Sequence, residues 1–237
     1  VTINSGDAIN AAKAAVSRLS ADQLKTFPQE LLDKLAEAER IYHLLTEGSG
    51  TPVLPVTPSK PSQKPDTGKN LPFTDVSANN WFYDGVKYAY ENGLMNGTSS
   101  NAFSPNANTT RGMIVTILAR VEGVNTNGTP WYAAGQKWAM DNSISDGTNM
   151  PGVITREQLA TILYRYAKQK GYDVSKSAAL TAFSDADKVS GYAAEAMQWA
   201  VAEGLLQGSN GKLNPQGSAT RAQVATILMR FMEKIAK

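Results

Sequence analysis

The sequence predicts an all-α protein: a pseudo-threefold assembly of three helix-loop-helix repeats around a central three-helix bundle, preceded by an N-terminal helical hairpin and a Pro-rich linker. Three observations predict it. Residues 1–47 are rich in Ala, Leu, Glu and Lys, which are good helix formers. Prolines 52, 55, 58, 61 and 65 then fall every three or four residues among Ser, Thr, Lys and Gly. Beyond them the dipeptide Thr-Arg occurs at Thr110-Arg111, Thr155-Arg156 and Thr220-Arg221, each time opening an apolar pattern of one phase.

In the first segment, Asp7 is placed to cap a helix running through Arg18, with Ile9, Ala12, Val16 and Leu19 at helical spacing. Pro28 suits the first turn of a second helix, whose stripe is Leu31, Leu32, Leu35, Ala38, Tyr42 and Leu45. His43 falls on that helix as an exposed residue. Two short helices bury little, so residues 1–47 read as a hairpin, a truncated module. Residues 48–71 cannot build a core and read as a semi-rigid extended spacer.

The repeats are assigned to residues 72–124, 125–170 and 181–237. At offsets of 4, 7, 8 and 11 from each Thr stand Ile114/Ile117/Leu118/Val121, Leu159/Ile162/Leu163/Tyr166 and Val224/Ile227/Leu228/Phe231, a one-sided helical stripe. Each Thr is an N-cap, and Gln158 and Gln223 complete capping boxes that Met113 breaks in the first copy. Upstream lies a helix beginning at an aromatic: Trp81, Trp131 or Tyr192. It stops at Gly93, Ser143 or Gly204, before a loop carrying Gly97, Gly147 or Gly208. One unit has two apolar stripes and too little volume to bury both, which favours three copies closing on one another. The Thr-to-Thr spacings, 45 and 65 residues, argue against an open solenoid; the longer one holds an insertion around Lys168 to Thr181.

Composition narrows the function. The 237 residues carry 23 basic and 21 acidic groups, a net charge of +2, too weak for a nucleic-acid surface. With no cysteine and one histidine, disulfide frameworks, thiolate metal sites and Ser-His-Asp chemistry drop out. Asp185-Ala186-Asp187 lacks the further ligands of a calcium loop, and no cofactor or metal is expected. No apolar run is long enough for membrane insertion. The Val-Thr-Ile-Asn start reads as that of an excised or mature segment. These features lean away from an enzyme.

Phe73-Thr74-Asp75-Val76, Trp81, Gly93-Leu94-Met95-Asn96-Gly97, Phe103-Ser104-Pro105 and Thr110-Arg111 together resemble the S-layer homology domain. The third copy is similar through Phe183-Ser184-Asp185, Tyr192, Gly204 to Gly208, Pro215 and Thr220-Arg221-Ala222-Gln223. The middle copy keeps Trp131, Asp146-Gly147 and Thr155-Arg156 but lacks the Phe-x-Asp and Phe-x-Pro elements. The resemblance covers about residues 73–233 and implies a non-enzymatic module that anchors secreted proteins to the bacterial cell wall. It implies as partner a secondary cell-wall polysaccharide, commonly ending in a pyruvylated N-acetylmannosamine, bound in grooves between repeats. Carried over by position, the groove residues are Arg111, Arg156 and Arg221; Trp81, Trp131 and Tyr192; Gly97, Gly147 and Gly208; and the opening acids Asp75 and Asp185. None of the three tetrapeptides has the family's Glu in fourth place. Two alternatives stay open: a surface-layer protein that self-associates into a lattice, and the targeting end of a larger secreted enzyme.

Elementary chemistry agrees with an anionic sugar. A ketal carboxylate suits a helix N-terminus with free N–H groups and a guanidinium fork beside it. Aromatic faces suit sugar C–H groups, and glycines let backbone approach. Each arginine has an internal alternative, tying its helix start to a neighbouring carbonyl or to Asp75 or Asp185. Trp81 and Trp131 have a core alternative, while Trp138 and Trp199 read as packing residues. Arg120, Arg165 and Arg230 either border the stripe, bond the last helix carbonyls or reach a groove. On this reading Arg→Ala at 111 or 221 weakens binding and leaves the helices intact.

Overall fold

Three threonines start three helices in the same way. In the computed structural model, which describes residues 6–16, 31, 35 and 71–236, the hydroxyls of Thr110, Thr155 and Thr220 accept the N–H groups of Met113, Gln158 and Gln223. Reciprocal capping boxes form at Thr155 and Thr220, and the first copy makes only half of one because Met113 lacks the side-chain amide oxygen of Gln158 and Gln223. The chain divides into two units, Val1–Thr57 and Pro58–Lys237. In the first, α1 (Gly6–Val16) starts one residue ahead of Asp7, so Asp7 lies inside the helix rather than before it. Leu31 and Leu35 are helical, with Leu31 exposed. The rest of the predicted hairpin, with His43, and the predicted linker up to residue 70 lie outside the described residues.

The second unit contains α2 (Tyr83–Glu91), α3 (Arg111–Val121), α4 (Ala133–Asp141), α5 (Arg156–Gln169), α6 (Ala194–Ala202) and α7 (Arg221–Lys234). The aromatic-led helices α2, α4 and α6 end as the glycine pattern predicts. Gly93, Ser143 and Gly204 have φ of 66°, 57° and 68°, and the next two N–H groups in each copy bond one carbonyl, that of Ala89, Ala139 or Ala200. Ser143 takes this left-handed conformation without being glycine.

The helix pairing runs between copies. α3 packs on α4, α5 on α6, and α7 returns to α2, so each Thr-Arg helix lies against the aromatic-led helix of the next copy and the last copy closes on the first. Backbone hydrogen bonds follow the same cycle: Thr109 N donates to Ala219 O at 3.0 Å, Ala219 N to Ile154 O at 3.0 Å, and Ile154 N to Thr109 O at 2.9 Å. Each of these residues directly precedes a capping threonine.

All the stripe residues at offsets 4, 7 and 8 are buried. Burial extends to a second face, however, because each Thr-Arg helix is embraced by its neighbour. There Thr116, Thr161 and Thr226, at offset 6, are buried as well. Opposite two of them stand glycines: a Cβ on Gly85 would lie 2.6 Å from Thr226 Cα, and one on Gly135 would lie 2.8 Å from Thr116 Cα. The small residue four positions after each leading aromatic (Gly85, Gly135, Ala196) thus lets the helices cross closely. Trp199 is buried against Tyr164 and Phe231, and Trp138 packs edge-on to Tyr166, as packing residues. The insertion returns to the core through Tyr172, which meets Tyr166 and Phe231 edge-on.

Candidate functional site

The cyclic pairing places the loop of one copy beside the leading aromatic of the next and the arginine of the previous one. The larger groove, of about 900 Å³, is lined by the third copy's loop from Leu205 to Asn210, by Gln223 and Arg230 of α7, by Trp81 and by Arg156. The smaller, of about 320 Å³, repeats the arrangement with Ser145 and Asp146, Gln158 and Arg165 of α5, Tyr192 and Arg111. The leading aromatics are not core residues: Trp81, Trp131 and Tyr192 are 67%, 47% and 55% exposed. Phe82, beside Trp81, turns inward in its place and meets the indole edge-on.

The helix N-termini do not serve as the sequence reading expects. The first two N–H groups of every Thr-Arg helix bond loop carbonyls of the next copy: Arg111 and Gly112 to Gly152 and Met150, Arg156 and Glu157 to Gly217 and Pro215, Arg221 and Ala222 to Ala107 and Pro105. The third is taken by the capping threonine. A buried helix start must satisfy its orphan donors, and here neighbouring copies do so. These helix-start N–H groups are therefore not free to meet an anion.

The three arginines differ. Arg221 is 8% exposed; its Nε donates to Phe103 O at 2.8 Å and its Nη2 to Asn96 O at 2.5 Å, with the guanidinium 4.5 Å from the Phe103 ring centre. It is held internally and joins the third copy to the first. Arg111 donates from Nη2 to Asp146 Oδ1 at 2.5 Å and to Ser145 Oγ at 3.2 Å, while its buried Nε has no partner. Arg156 is held at Nε by Leu213 O at 2.7 Å, and its two Nη atoms have no partner among the described residues. Burial pulls the Arg156 pKa down and Asp185 partly offsets this; an arginine stays charged regardless.

The lining of the larger groove carries Arg156, Lys212 and Arg230 and no carboxylate, although Asp185 acts electrostatically on Arg156 and Lys212. Arg230 does not bond the last carbonyls of its own helix: it donates to Gly204 O, Leu205 O and Gln207 Oε1, bracing the loop. In the smaller groove, Asp146 is held below the usual carboxylate range. The Thr148 N–H is the main cause, opposed by burial and assisted by the Thr148 hydroxyl, Arg111 and Arg165. At the third equivalent position, beside Trp131, Arg221 is internal, Met113 stands where the others have Gln, and Arg120 bonds Thr126.

The opening acids hold the loops. Asp75 accepts the N–H groups of Phe103 and Ser104, and Asp185 those of Leu213 and Asn214, all at 2.7–2.8 Å. Desolvation would raise the Asp185 pKa, but these hydrogen bonds leave it below the usual range. Asp187 pairs with Lys188. The loop glycines serve close packing: a Cβ on Gly97 would lie 2.5 Å from the Phe73 ring and one on Gly208 2.7 Å from that of Phe183. In the middle copy, where no opening Phe exists, Met140 covers Gly147.

One participant escapes the sequence reading. Glu157, 4% exposed, accepts from Ser190 N, Ser190 Oγ and the Tyr192 hydroxyl. Desolvation, then the charge and hydrogen bond of Glu157, push the Tyr192 phenol up to about 12. The only sequence signal was a charge at a position filled by Gly112 and Ala222 in the other copies.

Among known proteins, the family match falls on the first and third copies. Residues 72–112 and 182–225 match the model of the S-layer homology domain. The chain is 27% identical over 180 residues to an endoglucanase of Bacillus sp. (strain KSM-635), covering 70% of this chain and 19% of that protein. It is 26% identical over 167 residues to the surface-layer 125 kDa protein of Lysinibacillus sphaericus, covering 69% and 10%. It is 26% identical over 182 residues to exoglucanase XynX of Acetivibrio thermocellus, covering 70% and 17%. The chain therefore spans about a fifth or less of the length of these relatives. No helix among the described residues is long and apolar enough to cross a membrane. The two matched segments are those with the Phe-x-Asp opening, and each is similar to the S-layer homology domain, a cell-wall anchoring and non-catalytic module.

Proposed function

We propose that this chain anchors a protein at the bacterial cell surface by binding a carboxylated, pyruvylated terminus of a secondary cell-wall polysaccharide in the larger groove. The observation that carries this reading is the free Nη edge of Arg156 beside the exposed face of Trp81, in a groove whose lining has three cations and no acid. A planar fork takes a carboxylate through two charge-assisted hydrogen bonds, and the indole face takes the sugar ring. Lys212 and Arg230 add positive potential. The closed cycle of backbone bonds supports reading residues 72–124, 125–170 and 181–237 as one pseudo-threefold assembly with the middle copy included.

The anchored cargo belongs to chain outside these repeats, and the matched relatives include both named glycanases and a surface-layer protein. Sedimentation with purified walls tests the proposal, before and after chemical removal of pyruvate. Wild-type binding drops on depyruvylation, and Arg156→Ala lowers affinity roughly 10- to 100-fold, the loss of one charged hydrogen-bonded partner. Equal binding to both wall preparations overturns the ketal reading. Sheets forming without walls would favour self-association instead.

A further inference from the structure

We propose that Asp146 is a built-in occupant of the anion seat in the smaller groove, so that this groove admits a saccharide carboxylate only when the Asp146 charge is removed. The proposal rests on reading the grooves as sites for a carboxylated sugar. The residue before the loop glycine is Asn96 in the first copy, Asp146 in the second and Gln207 in the third, so the middle copy alone has a charge there. In the larger groove the neutral Gln207 accepts from Arg230 at 3.2 Å and leaves the Arg156 Nη atoms free. In the smaller groove Asp146 occupies the Nη2 of Arg111 at 2.5 Å and lies within electrostatic reach of Arg165, the counterpart of Arg230.

The carboxylate is held for that role. Its Oδ1 also accepts the Thr148 N–H and hydroxyl, both at 3.0 Å. The Arg111 side chain is 13% exposed and that of Asp146 is 59% exposed, so the acid reaches in from the rim to a recessed guanidinium. The buried, unpartnered Nε of Arg111 marks a donor edge that Asp146 does not complete. A tethered carboxylate competes at high effective concentration with any anion from solution. An anion that enters beside it meets like charge without a free fork.

Calorimetric titration of the full chain with the methyl glycoside of pyruvylated N-acetylmannosamine tests this. Wild type is expected to bind one equivalent and Asp146→Asn two. The Arg156→Ala/Asp146→Asn double variant is expected to bind one, at least tenfold tighter than Arg156→Ala alone. Asp146→Gln, which copies the residue at 207, gives a second variant with the same expectation. Wild-type stoichiometry and affinity in both variants overturns the proposal. A second arm does not depend on the sugar: the Arg111 Nε–H NMR resonance should shift saturably with sodium acetate in Asp146→Asn and stay fixed in wild type. If the sugar binds neither protein but acetate behaves as stated, the ketal reading fails and the role of Asp146 stands. Equal acetate response in wild type and variant sinks the role of Asp146, whatever the sugar does.

Discussion

Arg221→Ala separates the internal arginine from the groove arginine. The side chain makes two charged hydrogen bonds, to Phe103 O and Asn96 O, and stacks on the Phe103 ring. A hydrogen bond from a charged donor contributes about 1.5–3 kcal/mol and a cation–π contact about 0.5–2 kcal/mol. These are not additive within one side chain, so the loss should be about 3–5 kcal/mol, including two carbonyls left without a donor. For a folded unit of this size each kcal/mol lowers Tm by about 2–4 °C, which gives a fall of roughly 6–20 °C in differential scanning calorimetry. Arg156→Ala loses one bond, to Leu213 O, and should lower Tm by only about 3–12 °C while abolishing most wall binding. The reasoning is refuted if Arg221→Ala melts within about 2 °C of wild type yet loses wall binding as fully as Arg156→Ala.

The helix crossing, the buried glutamate and a loop acid give further expectations. Gly85→Ala puts a Cβ 2.6 Å from the Thr226 backbone and should cost about 1–3 kcal/mol in denaturant unfolding; Gly93→Ala, in open space at φ 66°, should cost only the left-handed strain of about 1–2 kcal/mol. Glu157→Gln should bring the Tyr192 phenol down from about 12 towards the ordinary tyrosine range, followed by pH titration of ¹³C-tyrosine NMR signals; an unmoved value would deny Glu157 its part. Asp185 has its folded pKa below the unfolded one. Its contribution is present above the unfolded value of about 4 and fades as pH falls through the folded value, so the stability gap between wild type and Asp185→Asn should narrow in acid, read by circular dichroism.

How far the sequence foretells the structure depends on how local the determinant is. Capping boxes, helix stripes and left-handed stops are local, and Thr155, Gln158, Leu159 and Ser143 all fall where the pattern puts them. Pairing between copies is not local. The stripe at offsets 4, 7, 8 and 11 predicts one buried face, whereas the second face against Gly85 and Gly135 emerges only once α7 meets α2 and α3 meets α4. The same blindness affects the site. Thr110-Arg111, Thr155-Arg156 and Thr220-Arg221 are equivalent in sequence, yet their guanidinium groups are held by Asp146, by the carbonyl of Leu213, and by the carbonyls of Phe103 and Asn96. The helix-start N–H groups appear free in a sequence and are consumed by loops of neighbouring copies in the fold. The aromatics are legible as a repeated position, but only their exposure separates a surface ring from a core ring.

A crystal structure of the chain soaked with the pyruvylated monosaccharide tests the central claim most directly. The account predicts the ketal carboxylate about 3 Å from Arg156 Nη, with the sugar ring against Trp81. A saturating soak that leaves the Arg156–Trp81 groove empty, or seats the carboxylate on another part of the chain, contradicts it.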